Sequence, residues 1–309
     1  MAILVQTTPT AMARWRPVLA EVMPEREFRF WPELGDPAAI DYALVWQPEP
    51  GLLARLERLR LIVCLGAGVD RIVADPTLPP GVPLLRLVDP YMTAAMSEYV
   101  AFQVLRLHRQ DLDYMAQQRA REWRERPQRN AAECRVGILG FGTMGQDAGR
   151  KLRALGFDVA GWRNRAGAVD GFPTYSGEAG LAELLGRSDI VVCLLPLTAA
   201  TAGILNAAAF ARMKRGAALV NAGRGGHLVE ADLLAALASG QVSAAVLDVF
   251  AEEPLPRRHP FWRHPRIVVT PHVAAETHPP TAAPIIAAAI RDFEAGRRPA
   301  NLVDPARGY

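Results

Sequence analysis

The sequence predicts an α/β protein with parallel sheets covered by helices, organised as two halves joined by a long helix. Three observations carry this reading. Short apolar runs recur and alternate with segments whose apolar residues fall at helical spacing. The runs are mostly continuous rather than alternating, as expected of strands buried on both faces. A long helical stretch interrupts the series, and at 309 residues the chain has the length at which about two domains are expected.

In the first half, Ile3–Gln6, Tyr42–Trp46, Leu61–Leu65 and Leu84–Leu87 read as buried strands. Gly51–Arg60 is expected to be helical, because Leu52, Leu53, Leu56 and Leu59 share a face with arginines opposite. From Thr93 to Arg126 a single long helix is expected, apolar early, heavily charged from Arg119 to Arg129 and closed by Pro127. It suits a link between domains or an arm in a dimer, and a solvated charged face explains its late charges equally well. The second series begins at Arg135. Its expected strands are Val136–Leu139, Val159–Trp162, Ile190–Leu195, Ala218–Ala222, Ser243–Val249 and Ile267–Val269. The helices between them are Met144–Leu155, Leu181–Leu185, Ala207–Met213 and Ala231–Ser239, with a last amphipathic helix at Thr281–Ala295.

Composition removes several functions. Half of the residues are hydrophobic and 22% are charged, the balance of a soluble globular protein. The net charge of +3 is too even for nucleic acid or an anionic membrane to be the main partner. Only two cations are lysines, Lys151 in mid-helix and Lys214 in the turn M-K-R-G, and neither fits a phosphate loop or a Schiff base. The three cysteines, Cys64, Cys134 and Cys193, are too scattered for a disulfide framework or a zinc site, so no metal is expected. The start has no basic leader region and no stretch reaches the roughly 18 apolar residues of a membrane span, so a cytoplasmic location is expected.

The second half opens with R-V-G-I-L-G-F-G-T-M-G, in which Gly140, Gly142 and Gly145 form G-x-G-x-x-G with Thr143 and Met144 inside it. Gly140 permits a tight strand-to-helix turn, Gly142 lets backbone approach a pyrophosphate, and Gly145 lets helix pack closely on strand. The pyrophosphate would lie on the helix N-terminus, where unpaired amides and the helix dipole favour an anion. The strand before the motif and the helix after it supply the context that a dinucleotide site requires. A carboxylate for the ribose hydroxyls is expected at the end of the next strand in NAD sites. Here that end is G-W-R-N-R: Trp162 is followed by Arg163, Asn164 and Arg165, whose guanidinium groups suit a 2′-phosphate. NADP(H) is therefore the preferred cofactor, with NAD(H) also admitted.

Six histidines compete for a chemical role. His108 lies in the linking helix, His259 and His264 flank Trp262, His278 begins the last helix, and His227 follows N-A-G-R-G-G, where it suits either a contact with the cofactor or a neutral loop position. His272 follows the strand I-V-V-T, at the mouth of the sheet where open α/β folds bind ligands. The same rule selects Arg224, Asp248 and Glu253 just past neighbouring strands. Beside a nicotinamide this set suits carbonyl reduction. An imidazolium supplies the proton that the nascent alkoxide needs, a carboxylate holds the imidazole, and an arginine holds the substrate carboxylate and polarises its carbonyl.

These segments, N-A-G-R-G at 221–225, D-V-F-A-E-E-P-L-P at 248–256 and T-P-H-V-A at 270–274, resemble the signatures of the D-isomer-specific 2-hydroxyacid dehydrogenases, most closely their glyoxylate/hydroxypyruvate reductase branch. The resemblance runs along essentially the whole chain, including L-G-A-G-V-D at 65–70 and A-R-G-Y at 306–309. It implies Arg224, Glu253 and His272 as the catalytic set. It also implies a substrate-carboxylate loop at Gly66–Asp70, acting through backbone amides of Ala67, Gly68 and Val69, with Trp46 toward the substrate. Asp248 would lie near the nicotinamide, while Leu195, Pro196, Ala222 and Gly223 would line the cofactor.

The implied fold is two Rossmann-like doubly wound parallel-sheet domains, the cofactor domain (98–274) inserted into a substrate domain built from 1–97 and 275–309. A cleft that closes to exclude water and a homodimer paired through the cofactor domain and its long helix follow from the same resemblance. One departure stands out: relatives often carry Ser-Arg after the second-strand tryptophan, where this chain has Arg163-Asn164.

The implied reaction is NADPH-dependent reduction of glyoxylate to glycolate and of hydroxypyruvate to D-glycerate, with His272 as proton donor. Bulkier keto acids such as phenylpyruvate are an alternative. A phosphate-bearing substrate would want cations near the loop, which has none before Arg71, with Arg86 the other nearby candidate. From a different class comes a dinucleotide-sensing, corepressor-like binding module, which would keep the same triad but add interaction surface and disordered tails.

Overall fold

The computed structural model describes residues 1–304, so the A-R-G-Y segment at 306–309 lies outside the described residues. In chain order its elements are β1 (Ala2–Gln6), α1 (Pro9–Val22), β2 (Glu27–Phe30), β3 (Ile40–Val45), β4 (Leu61–Cys64), α2 (Asp70–Val73), β5 (Leu84–Leu85), α3 (Pro90–His108) and α4 (Asp111–Ala120). There follow β6 (Arg135–Leu139), α5 (Thr143–Ala154), β7 (Asp158–Arg163), β8 (Thr174–Ser176), α6 (Gly177–Arg187), β9 (Ile190–Cys193) and α7 (Ala207–Arg212). The series ends with β10 (Ala217–Asn221), α8 (Glu230–Ala238), β11 (Val242–Leu247), β12 (Ile267–Val269) and α9 (Pro279–Glu294). Among the described residues, no helix is long and apolar enough to cross a membrane.

The chain divides into two compact units, one made of residues 1–92 and the segment from Glu276 onward, the other of Thr93–Ala275. The first holds a five-stranded parallel sheet in the order β2-β1-β3-β4-β5. Its strands β1 and β3 are buried throughout, as expected of largely apolar runs, although Gln6 and Asp41 are buried with them. The second holds a seven-stranded parallel sheet in the order β12-β11-β10-β9-β6-β7-β8. Two apolar clusters cover it, one centred on Leu139, Val191, Leu219 and Phe210, the other on Ile138, Val192, Val220 and Leu152. Residues alternate between them along each strand, because successive side chains of a strand point to opposite faces. Both sheets are doubly wound α/β folds, as the sequence predicts.

Most strand and helix limits fall within a residue or two of expectation, the usual scatter of element ends. Two helices do not form as expected. Gly51–Arg60 is mostly turns, with one short 3₁₀ segment at Leu53–Arg55. Its leucines are nevertheless buried, so the core demanded their burial rather than a helix. The carboxylate of Asp75 accepts from the Gly51 amide (3.0 Å) and pins the turn. The long helix is also not continuous. It breaks between α3 and α4 at Gln110, which has a left-handed φ of 58°, and α4 stops at Arg121 with φ 57°. The Gln110 side chain donates to the Pro127 carbonyl (2.7 Å) and accepts from Arg126 (2.6 Å), so it holds the returning chain. Sequence reading omitted α1, α2, β2 and β8. The last two are short and lie at sheet edges, where an apolar run is not needed.

Candidate active site

The order of the seven-stranded sheet reverses between β6 and β9, and the crevice outside the strand ends at such a point is where open α/β sheets take ligands. The glycine turn leads from β6 into α5 at this place. Gly140 has φ 94°, and a Cβ on it would lie 2.6 Å from the Leu194 carbonyl group. A Cβ on Gly145 would collide with the Gly140 carbonyl oxygen. Gly142 differs, since a Cβ there would project into open space. It is exposed, it is the N-cap of α5, and among the described residues no side chain caps the helix. Exposed backbone at an uncapped helix start, kept bare by a glycine, fits the phosphates of a dinucleotide. One glycine that sequence reading missed also matters: Phe141 packs directly on Gly161 of β7, where any side chain would clash.

At the end of β7, Arg163 is half-buried, while Asn164 and Arg165 are exposed. The Trp162 side chain lies on the inner side of β7. Its indole is buried in the core and donates to the Gly177 carbonyl (2.9 Å), so its side chain is a packing element.

The loops after β9 and β10 are locked together by His227, which is fully buried. Its Nδ1 accepts from the Arg224 amide (3.1 Å) and its Nε2 faces the Pro196 carbonyl (3.2 Å). An amide can only donate and a carbonyl can only accept, so these partners assign the neutral ring with the proton on Nε2. Asn221 tightens the same turn, accepting from the Gly223 amide (3.2 Å) and donating to the Arg224 carbonyl (3.1 Å). The Arg224 guanidinium donates to the Gly223 carbonyl (2.9 Å). A Cβ on Gly225 would overlap the Phe250 backbone, and this close approach sets the Arg224 turn against the loop that carries Glu253.

Glu253 and His272 form a pair. Glu253 Oε2 lies 2.9 Å from His272 Nδ1, and its other oxygen accepts from the Phe250 amide (3.0 Å). A carboxylate acceptor places the proton on Nδ1 and directs Nε2 to the other side of the ring. His272 stands on a left-handed backbone, φ 54°, which a non-glycine residue adopts only when its surroundings impose it. Asp248 is 1% exposed. Its carboxylate accepts from Thr270 Oγ1 (2.6 Å) and from the Val273 and Ala274 amides (each 3.0 Å).

The remaining histidines have structural partners: His108 packs edge-on against Phe157, His259 pairs with Glu230 (3.1 Å), His264 accepts from the Arg266 amide (3.2 Å), and His278 stacks on Tyr91. The cysteines are buried, and burial pushes the Cys134 thiol up to about 11 and the Cys193 thiol up to about 12, so neither is a thiolate nucleophile.

In the first unit, Gly66 lies under the Trp46 ring, where any Cβ would clash. The Gly66 carbonyl accepts from the Leu87 amide (3.1 Å), and the neighbouring Leu65 carbonyl accepts from Thr277 Oγ1 (2.6 Å). Ala67 and Gly68 are partly exposed, whereas the Val69 side chain joins the core and its carbonyl starts α2.

Comparison with known proteins places these features in a family. Residues 101–274 match the family described as D-isomer specific 2-hydroxyacid dehydrogenase, NAD binding domain. The chain is 45% identical over 300 residues to a glyoxylate/hydroxypyruvate reductase A of Serratia proteamaculans, covering 96% of each chain. It is 43% identical to the protein of the same name from Yersinia enterocolitica, again covering 96% of each. Among solved structures, it superposes with a TM-score of 0.94 on a D-isomer specific 2-hydroxyacid dehydrogenase from Xanthobacter autotrophicus in complex with NADPH and MES, at 42% identity and covering 100% of this chain and 99% of that one. A TM-score of 0.94 is also found with the NADPH-dependent glyoxylate/hydroxypyruvate reductase of Sinorhizobium meliloti in complex with NADP and sulfate, at 41% identity over 100% of both chains.

Proposed function

The chain belongs to the D-isomer specific 2-hydroxyacid dehydrogenases, and we propose that it is an NADPH-dependent reductase of small 2-keto acids, taking glyoxylate to glycolate and hydroxypyruvate to D-glycerate. The observation that carries this reading is the Glu253–His272 pair at 2.9 Å, on the same sheet edge as an uncapped, glycine-bared helix start.

NADPH, when bound, supplies the hydride that reduces the carbonyl carbon. The residues of the chain do the rest. Gly142, with the amides of Thr143 and Met144, would hold its pyrophosphate, in the close turn that Gly140 and Gly145 permit. Arg163 and Arg165 with Asn164 hold the 2′-phosphate, and Leu195, Pro196, Ala222 and Gly223 line the nicotinamide half. Arg224 orients the substrate carboxylate and polarises the carbonyl, where positive charge counts most as negative charge grows on oxygen. His272 gives its Nε2 proton to that oxygen, while Glu253 keeps Nδ1–H and the ring plane in place. The amides of Ala67, Gly68 and Val69, with Trp46, take the substrate carboxylate and flank.

We further propose a cytoplasmic homodimer. Phe102 (54% exposed), Tyr114, Met115 and Trp123 (98% exposed) leave aromatic and sulfur side chains bare on α3, α4 and the segment after α4, where a pairing surface would cover them.

The test is turnover of glyoxylate, hydroxypyruvate, pyruvate and phenylpyruvate, followed by loss of nicotinamide absorbance with NADPH and with NADH. Fast turnover of the first two with NADPH is the expected result. Turnover of phenylpyruvate alone would change the substrate and keep the chemistry. Tight NADPH binding without any turnover would favour a sensing module.

A further inference from the structure

The carboxylate of Asp248 faces the protein's own backbone. Of the roughly four acceptor sites a carboxylate offers, the Thr270 hydroxyl and the Val273 and Ala274 amides take three. The backbone carbonyl of the same residue accepts from the His272 amide (2.9 Å). Asp248 thus grips the chain at His272 and at the two residues that follow it, and His272 is the residue held at φ 54°. Such a backbone is strained for a residue with a side chain and persists only where neighbours impose it.

What orients Asp248 is also visible. Thr270 Oγ1 lies 2.6 Å from Asp248 Oδ1 and 2.7 Å from the Tyr99 hydroxyl. An ionised carboxylate can only accept, so Thr270 gives its proton to Asp248 and must receive one from Tyr99. The donors therefore converge on Asp248: Tyr99 on α3 donates to Thr270, Thr270 donates to the carboxylate, and the amides beside His272 donate to the same carboxylate. Burial pushes the Tyr99 hydroxyl up to about 12, which keeps it a donor throughout the physiological range.

We propose that Tyr99 and Thr270 are positioning residues for the reaction: acting through Asp248, they hold the left-handed turn on which the proton donor His272 stands. The part of this that concerns turnover rests on the reductase reading above, whereas the grip on the turn does not. Neither hydroxyl is required to touch substrate or cofactor, and each acts only by narrowing the positions His272 can take.

The experiment uses the full chain and the variants Thr270→Val, Thr270→Ser and Tyr99→Phe. It reads kcat and KM for NADPH and glyoxylate, and the hydrogen-exchange rates of the Val273 and Ala274 amides. Misplacing a reacting group by about an ångström can cost 10²-fold, so Thr270→Val is expected to lower kcat by about tenfold, with the KM for NADPH changed less than about twofold. Tyr99→Phe should lower kcat by about threefold. Thr270→Ser, which keeps the hydroxyl, should restore both kcat and slow exchange, whereas Thr270→Val should exchange faster at both amides. A kcat unchanged in Thr270→Val beside a lower Tm would reduce the network to ordinary stability and overturn the proposal. So would a rise in the KM for NADPH in step with the fall in kcat, or unchanged amide exchange. If the unmodified chain reduces no keto acid yet the exchange rates respond as expected, the reductase reading fails and the grip on the turn stands.

Discussion

Between β6 and α5 the chain shapes its surface by leaving side chains out, whereas after β10, β11 and β12 it does so by saturating polar groups with partners. At the glycine turn the question at each position is whether a Cβ has room: at Gly140 and Gly145 it has none, and at Gly142 it has room that a ligand would need. In the second region the question is which partner each donor and acceptor finds. His227, Asn221, Asp248 and Glu253 each bind backbone groups, and these bonds place Arg224 and His272. Steric exclusion responds abruptly to substitution, and hydrogen-bonded positioning responds by degrees.

The largest expected effect tests the chemistry at the saturated end. His272→Ala should lower kcat by about 10²–10⁴ while leaving NADPH affinity almost unchanged, because only the proton donor is lost. Normal turnover in steady-state assays would remove His272 from that role. At the glycine end, two neighbouring substitutions should part company. Gly140→Ala forces a Cβ against the Leu194 carbonyl from a left-handed backbone and should cost about 2–4 kcal/mol in urea unfolding. Gly142→Ala meets open space and should leave stability within about 0.5 kcal/mol, yet weaken NADPH binding by titration about tenfold. Equal stability losses in the two would erase the distinction between a glycine needed by the fold and one needed by a ligand.

A smaller effect is expected where the ligand is read by charge. Arg163→Ala combined with Arg165→Ala should raise the KM for NADPH about tenfold and leave that for NADH near its starting value. Equal changes for both cofactors would mean that these arginines do not read the 2′-phosphate. The least effect belongs to the first unit, where Glu294 binds Arg26 (2.7 Å) and the Tyr42 hydroxyl (3.0 Å). The Arg26 hydrogen bonds hold the Glu294 carboxyl below its ordinary value of 4.5, so its stabilisation is present above that pH and is lost as pH falls through the folded value. Thermal melts of Glu294→Gln should therefore lose part of the acid dependence below about pH 4.5, by no more than about 1 kcal/mol. An unchanged pH profile would show that the ion pair adds nothing.

The two regions were also unequally legible. G-F-G-T-M-G could be read directly, because each glycine answers a demand of residues close by in the chain. Arg224, Glu253 and His272 could be nominated from their places past apolar strands, but their partners could not. The Glu253–His272 hydrogen bond was the easier inference, since the chemistry asks for it. The occupation of Asp248 by Thr270, Val273 and Ala274 carried no local signal, and Trp162 gave no sign that its indole turns inward to Gly177. The leucines between Gly51 and Arg60 misled for a related reason: periodic apolar residues report burial, and burial does not require a helix.

Residue order alone was enough for the central parallel strands, the glycine turn and the identity of the polar residues at the strand ends, though not for the edge strands β2 and β8. These follow from apolar runs and steric limits that act between near neighbours. Only the tertiary structure decided the break at Gln110, the tautomer of His227 and the direction of the Tyr99–Thr270–Asp248 chain. Each depends on hydrogen bonds between groups far apart in sequence, and such partners meet only once β9, β10, β11, β12 and α3 have taken their places.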